Sequence, residues 1–229
     1  MKHHLLRLLL ALLAFCACDS VLSDRLANEA IQLEKQGRYK EAILLLDKAI
    51  KRNPKNIDAL INRGVDRSLL EDYKGAISDY SRVIELDSSN TLAYLNRAKN
   101  KRRLENYAGA LADLEHAITI KGGEIVSITW NDNVMLDKGA EYDVPMEEIR
   151  YERGITRFEI DSLRLAFDDF NFCVTTEYEA PASLYYRGLI YLSFEMENEA
   201  CQDFQEANKL EPNQENSKWI DQNCNSNED

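Results

Sequence analysis

The chain has 229 residues and a formal net charge of −12, with 45% hydrophobic and 30% charged residues, nine Gly and four Pro. This balance describes one or two folded, helix-rich domains and excludes collagen-like and disordered chains. It also excludes a broad basic surface able to neutralise phosphates, so nucleic acid is not an expected partner.

In chain order, residues 1–18 open with a basic head carrying Lys2 and Arg7, continue as an apolar run from Leu8 to Phe15, and end on Cys16, Ala17 and Cys18. That order is the profile of an export signal. A membrane-crossing helix needs roughly 20 apolar residues, and this run is far shorter, so a permanent transmembrane anchor is not expected. A Cys at the end of such a segment, preceded by Ala17 and followed by Asp19 and Ser20, resembles the lipobox of bacterial lipoproteins. The resemblance implies a signal peptide over 1–17, acylation (palmitate among the chains) of Cys18, with Cys16 as the alternative, and a lipid-anchored linker over 18–22. Several acyl chains exceed the two signals that stable anchoring requires. Loss of residues 1–17 removes Lys2 and Arg7 and no acid, so the balance moves from −12 to −14 and attraction to anionic lipid cannot hold the chain down. Asp19 resembles an inner-membrane retention signal of enteric bacteria; the expected location is nevertheless the bacterial cell envelope, at the outer membrane facing the periplasm.

The next feature is a period of 34 residues, seen by aligning Gly37-Arg38-Tyr39-Lys40-Glu41-Ala42 with Asp72-Tyr73-Lys74-Gly75-Ala76 and Asn106-Tyr107-Ala108-Gly109-Ala110. The units run 23–56, 57–90, 91–124, 147–180 and 181–214. Position eight holds Ala30, Gly64, Ala98, Gly154 and Gly188, and position twenty holds Ala42, Ala76, Ala110, Ala166 and Ala200. Small residues at both places allow two antiparallel helices to cross closely. Position twenty-four carries Leu46, Tyr80, Leu114, Phe170 and Phe204, large groups expected to fill the space between consecutive hairpins. Position twenty-seven carries Ala49, Val83, Ala117, Cys173 and Ala207. This alternation resembles the tetratricopeptide repeat. The resemblance implies an all-α, right-handed alpha solenoid of five helical hairpins, each burying its apolar face by stacking on its neighbours.

A charge pair recurs with the same period. Arg63, Arg97, Arg153 and Arg187 occupy position seven in repeats two to five, and Asp79, Asp113, Asp169 and Asp203 occupy position twenty-three. Repeat one has Glu29 and Leu45 instead, so both partners are absent together. That points to structural pairs within each repeat rather than between neighbours, with Arg forking onto the carboxylate to fix the angle between helices.

Residues 125–146 interrupt the period. The runs Ile125–Trp130 and Val134–Leu136 flank Asn131-Asp132-Asn133, which predicts a small β-hairpin with Trp130 and Met135 as its contact residues. Pro145 with Glu147 and Glu148 then predicts a helix start. After repeat five, residues 215–229 read as a short capping helix with Trp219 and Ile220, followed by an acidic tail. Cys173 falls in an interior slot and is expected to behave as a small buried hydrophobe. Cys201, on the last repeat's second helix, and Cys224, at the end of the antiparallel cap, can meet. A bridge between them would contribute roughly 3 kcal/mol and suits an oxidising compartment; two free thiols are the alternative.

The tetratricopeptide resemblance places ligands in the concave groove, at positions two, five, nine, twelve and thirteen. Here those positions include Lys99, Arg102 and Arg103, then Tyr151, Ile155, Phe158, Tyr185, Leu189 and Leu192. The basic part suits a carboxylate or acidic segment of a protein partner, including a C-terminal one, and the apolar part suits a helix or strand. The chaperone-docking clamp of the family is not implied, because Ala27 and Ile31 stand at its slots in repeat one. His116 is the only His outside the first 18 residues, and no phosphate-cradling glycine loop or nucleophile elbow is present. The expectation is therefore a non-catalytic interaction scaffold without metal or cofactor. The alternatives are a subunit of an outer-membrane protein assembly or pilus biogenesis machine and, third, an enzyme or small-ligand sensor whose site is built by the insert.

Overall fold

A computed structural model describes residues 19–122, 143–212 and 214–224. The lipobox cysteines Cys16 and Cys18 and the expected hairpin strands, with Trp130 and Met135, lie outside the described residues, as does the 225–229 tail. There is no strand among the described residues; Asp143–Pro145 is extended and leads directly into a helix. The helices are α1 (19–34), α2 (Tyr39–Arg52), α3 (Ile57–Leu69), α4 (Tyr73–Leu86), α5 (Thr91–Arg103), α6 (Tyr107–Ile120), α7 (Met146–Glu159), α8 (Leu163–Thr175), α9 (Ala180–Ser193), α10 (Glu197–Leu210) and α11 (Gln214–Asn223).

These helices form two compact units. The first comprises α1 to α5 with Asp143, the second α6 to α11, so the division falls inside the third repeat. In the first unit α3 packs on α2 and α4, and α4 on α5; in the second, α7 packs on α6 and α8, α9 on α8 and α10, and α11 on α10.

The turn inside every hairpin has the same construction. Position fifteen is left-handed in all five repeats: Gly37 (φ 72°), Glu71 (63°), Glu105 (58°), Asp161 (59°) and Glu195 (59°). The amide of the following residue donates back five residues, as in Asp72 N to the Arg67 carbonyl at 2.8 Å and Met196 N to Tyr191 at 2.9 Å. This is the Schellman closure of a helix C-terminus, which satisfies otherwise orphaned carbonyls. Between repeats, Asn56 and Asn90 cap α3 and α5, each side chain accepting a 2.9 Å bond from the amide three residues on.

The interior follows the repeat. Positions eight and twenty are buried in every unit, as is position twenty-seven with Cys173. A Cβ on Gly64 would stand 2.8 Å from the Tyr80 ring, on Gly154 3.1 Å from the Phe170 ring and on Gly188 2.6 Å from the Phe204 ring. The large position-twenty-four residue therefore also lies against position eight of its own hairpin. It reaches the next hairpin as well: Phe170 stacks on Tyr186, centroids 4.8 Å apart. Wherever an aromatic ring occupies position twenty-four, position eight is Gly; where Leu occupies it, position eight is Ala.

Candidate protein-interaction surfaces

In repeats two, four and five the recurrent Arg and Asp meet inside the hairpin. Arg63 forks onto Asp79 with bonds of 3.0 and 2.6 Å, Arg153 onto Asp169 with a shortest bond of 2.7 Å, and Arg187 onto Asp203 with two bonds of 2.7 Å. Arg97 belongs to the first unit and the buried Asp113 to the second.

The restriction of pairing to single repeats needs correcting. Arg63 also reaches Asp47 at 2.7 Å, Arg97 reaches Ser81 Oγ at 3.0 Å, and Arg187 reaches Asn171 at 2.7 Å. Each acceptor stands at position twenty-five of the preceding repeat, so one guanidinium ties its own hairpin and the neighbour together. Five donors in a planar fork make Arg suited to both tasks at once. The signal was present in the alignment as a polar column, Asp47, Ser81, Glu115 and Asn171, behind an otherwise apolar stripe.

A second Arg at position eleven reinforces two of these carboxylates: Arg67 bonds Asp79 and Arg157 bonds Asp169, each at 2.7 Å. Asp169 also receives Arg150 at 3.3 Å. Its side chain is fully buried and holds three guanidinium groups. Arg150, at a position that holds Leu26, Leu60, Tyr94 and Leu184 in the other repeats, further lies 4.2 Å over the Phe172 ring. The adjacent Asp168 is exposed. The buried Asp79 and Asp169 are thus held in ion pairs within the packing.

The expected groove residues separate into three groups. On α5 of the first unit, Arg103 is exposed and Lys99 and Arg102 are half-buried. All lie on a helix whose last turn carries Lys101, Arg102 and Arg103, where cations oppose the negative end of the helix dipole. On α7, Tyr151, Ile155 and Phe158 pack half-buried against Ala166, Phe170 and Ile190. Tyr151 meets Phe170 edge-on at 6.2 Å, and Phe158 meets Tyr186 at 5.3 Å. On α9, Leu189 and Leu192 pack around Phe204 and Ile220, the latter on α11. Tyr185 is the most exposed of the six apolar candidates, at 37%, with its ring against Phe204 at 5.6 Å. All six thus contact a neighbouring helix, because a position that opens onto the groove also reaches the next helix once a bulky side chain occupies it.

Two carboxyl groups, one buried and one half-buried, lie outside the recurrent pairs. Asp66 on α3 is buried with neither oxygen hydrogen-bonded, and one oxygen of Glu34 on α1 shares that condition. Burial, reinforced by the charge of Glu34, raises the Asp66 pKa to about 7, and burial also raises that of Glu34. Only the polar character of position ten in repeats one to four (Gln32, Asp66, Asn100, Thr156) pointed to Asp66; nothing in the repeat marked Glu34, at position twelve.

Cys173 is buried, its thiol donates to the Glu147 carbonyl at 3.5 Å, and burial pushes its pKa up to about 12, which leaves it unreactive. Cys201 and Cys224 form a disulfide that pins α11 to α10. Among the described residues no group of three or more His, Cys, Asp or Glu is placed to hold a metal ion, and no helix is long and apolar enough to cross a membrane.

Residues 23–56 match the family model of the tetratricopeptide repeat, the first of five units on one period. Residues 23–56 are thus a tetratricopeptide repeat, and the fold of the chain is that of tetratricopeptide-repeat proteins. Solved structures agree on the fold. MamA of Desulfovibrio magneticus RS-1 matches with a TM-score of 0.67 at 16% identity, over 84% of this chain and 96% of that one. YrrB, described as a TPR protein with an unusual peptide-binding site, matches at 0.63 and 18%, over 86% and 90%. PilW, described as a widely conserved type IV pilus biogenesis factor, matches at 0.67 and 14%, over 86% and 82%. No curated protein matches the chain. Tetratricopeptide-repeat proteins are generally non-catalytic scaffolds that bind protein or peptide partners.

Proposed function

We propose that this chain is a non-catalytic scaffold of the bacterial cell envelope, held by lipid on Cys18 (or Cys16) at the periplasmic face of the outer membrane, and that it binds a protein partner. The observation that carries the scaffold reading is the inward commitment of the charges. The buried Asp79, Asp169 and Asp203 are held by guanidinium groups that lock hairpins, so the recurrent charges serve the stacking of the repeats. The envelope reading draws on the export-signal profile of residues 1–18 and on the Cys201–Cys224 disulfide, a bond that persists in oxidising compartments.

The basic turn of α5, with Lys99, Arg102 and Arg103, is the proposed contact for an acidic or C-terminal segment of that partner. Pull-down from detergent-solubilised envelopes, with wild type beside a Lys99→Ala/Arg102→Ala/Arg103→Ala variant, tests it. A partner recovered by wild type and lost by the variant supports the contact; equal recovery by both sinks it. Radiolabelled palmitate should enter wild type and not a Cys16→Ala/Cys18→Ala variant, and label in the variant would remove the anchor. A narrower reading, a subunit of a pilus biogenesis or outer-membrane protein assembly machine, is favoured by the likeness to PilW. Recovery of one stoichiometric complex would support it.

A further inference from the structure

The second unit contains an open cleft of about 1260 Å³ that none of the expected groove residues lines. Its walls are the end of α8 at Val174, the turn 177–179, the first two turns of α9 and one face of α10. Val174, Pro181, Leu184 and Leu210 give it an apolar lining, and Leu210 is 52% exposed, a large aliphatic side chain left open to solvent. The disulfide ties α10 to α11, so this wall is held in place before any ligand arrives, which lowers the ordering cost of binding.

The charges around the cleft are unbalanced. Its two cations are already engaged: Arg187 on Asp203 and Asn171, and Lys209 on Glu206 at 3.3 Å. The Glu177 and Glu179 carboxylates are exposed on the rim and meet no cation among the described residues. They flank Tyr178, whose ring packs on Tyr151 at 6.0 Å and so fixes the turn that carries both. An aliphatic lining beside two uncompensated carboxylates is complementary to an aliphatic side chain flanked by cations.

We propose that this cleft docks a basic, apolar segment of a partner protein, an aliphatic anchor seated against Leu184 and Leu210 with Lys or Arg beside Glu177 and Glu179. An acidic segment or an anionic lipid surface would be repelled by the same carboxylates, and a second copy of this chain brings its own net negative charge. The site differs in place and sign from the basic turn of α5, so one scaffold would hold two partners of opposite charge.

Fluorescence anisotropy at physiological salt tests the proposal. The full chain is titrated against a labelled 12-residue peptide of Leu and Lys in amphipathic helical spacing, and against its Leu and Glu counterpart. The Lys peptide should bind and the Glu peptide should not. Glu177→Gln/Glu179→Gln should weaken the Lys peptide at least tenfold, and Leu210→Asn should do so independently, whereas Glu71→Gln/Glu105→Gln in the first unit should change it less than twofold. Absence of binding, equal binding of the two peptides, or equal losses in cleft and first-unit variants would overturn the assignment. The Lys99→Ala/Arg102→Ala/Arg103→Ala variant should bind the Lys peptide as wild type does, so failure here and failure of the α5 contact are read separately.

Discussion

Replacing Gly188 by alanine adds one methyl group at the tightest crossing in the second unit. The new Cβ would stand 2.6 Å from Phe204 Cε1 and 2.9 Å from Cζ, against roughly 3.5–4.0 Å for carbon atoms in contact. A shortfall near 1 Å against a buried ring is overpacking, which costs about 1–3 kcal/mol, here at the upper end. Alanine returns about 1 kcal/mol of helix propensity over glycine. The net loss of about 1–2 kcal/mol lowers Tm by roughly 2–8 °C for a chain of this size. Gly64→Ala, at 2.8 Å from Tyr80, should cost less, and Gly154→Ala, at 3.1 Å from Phe170, least. The second half of the test is rescue. Gly188→Ala with Phe204→Leu recreates the Ala30 and Leu46 combination of repeat one, so the pair should be less destabilising than the sum of the singles by about 1–3 kcal/mol. Thermal and urea unfolding followed by circular dichroism reads all four corners of the cycle. A Gly188→Ala protein melting at or above wild type, or a strictly additive cycle, would refute the account of the crossing.

Asp169→Ala should cost roughly 3–5 kcal/mol, since it strands Arg150, Arg153 and Arg157 around a vacated buried site; urea denaturation with a loss below that of Asp203→Ala, where one Arg is bereft, would contradict it. Asp66 binds a proton more tightly folded than unfolded, so the fold holds more protons between about pH 4 and 7 and loses stability as pH rises through that window. Asp66→Asn should flatten that slope and raise Tm at pH 8, where relief of an unsatisfied buried group is worth about 1–3 kcal/mol; an unchanged pH profile would place the titration elsewhere. At the left-handed turn positions, Glu71→Gly, Glu105→Gly, Asp161→Gly and Glu195→Gly should each stabilise by about 0.5–1 kcal/mol and combine additively, being far apart in sequence and partner-free in their turns. A combined variant melting below wild type would show that those side chains contribute more than their backbone strain.

The architecture was legible in the 34-residue period together with the family that its small and large positions resemble. The spacing of Ala42, Ala76, Ala110, Ala166 and Ala200 marks a crossing that recurs every 34 residues, and a crossing imposes its demand for small side chains locally, on residues close in the chain. The joint appearance of Arg63 with Asp79 and of Arg187 with Asp203, and their joint absence from repeat one, exposed the internal pairs for the same reason: both partners sit in one hairpin. Pro145 and the acids after it marked a helix start that the backbone adopts, with Pro145 capping α7.

Features built between hairpins were not legible in this way. The guanidinium groups of Arg63, Arg97 and Arg187 reach position twenty-five of the preceding repeat, where Asp47, Ser81 and Asn171 differ in identity and share only polarity. Tyr151, Ile155 and Phe158 occupy positions that the tetratricopeptide resemblance assigns to a groove, yet they pack against Ala166, Phe170 and Ile190. Asp66 faces Glu34 across two helices, and the cleft of the second unit joins residues from three helices and a turn. A one-dimensional pattern records what each helix demands of its own partner in the hairpin. Burial, desolvation and the balance of charge around a surface depend on atoms brought together by stacking, and only coordinates supply those.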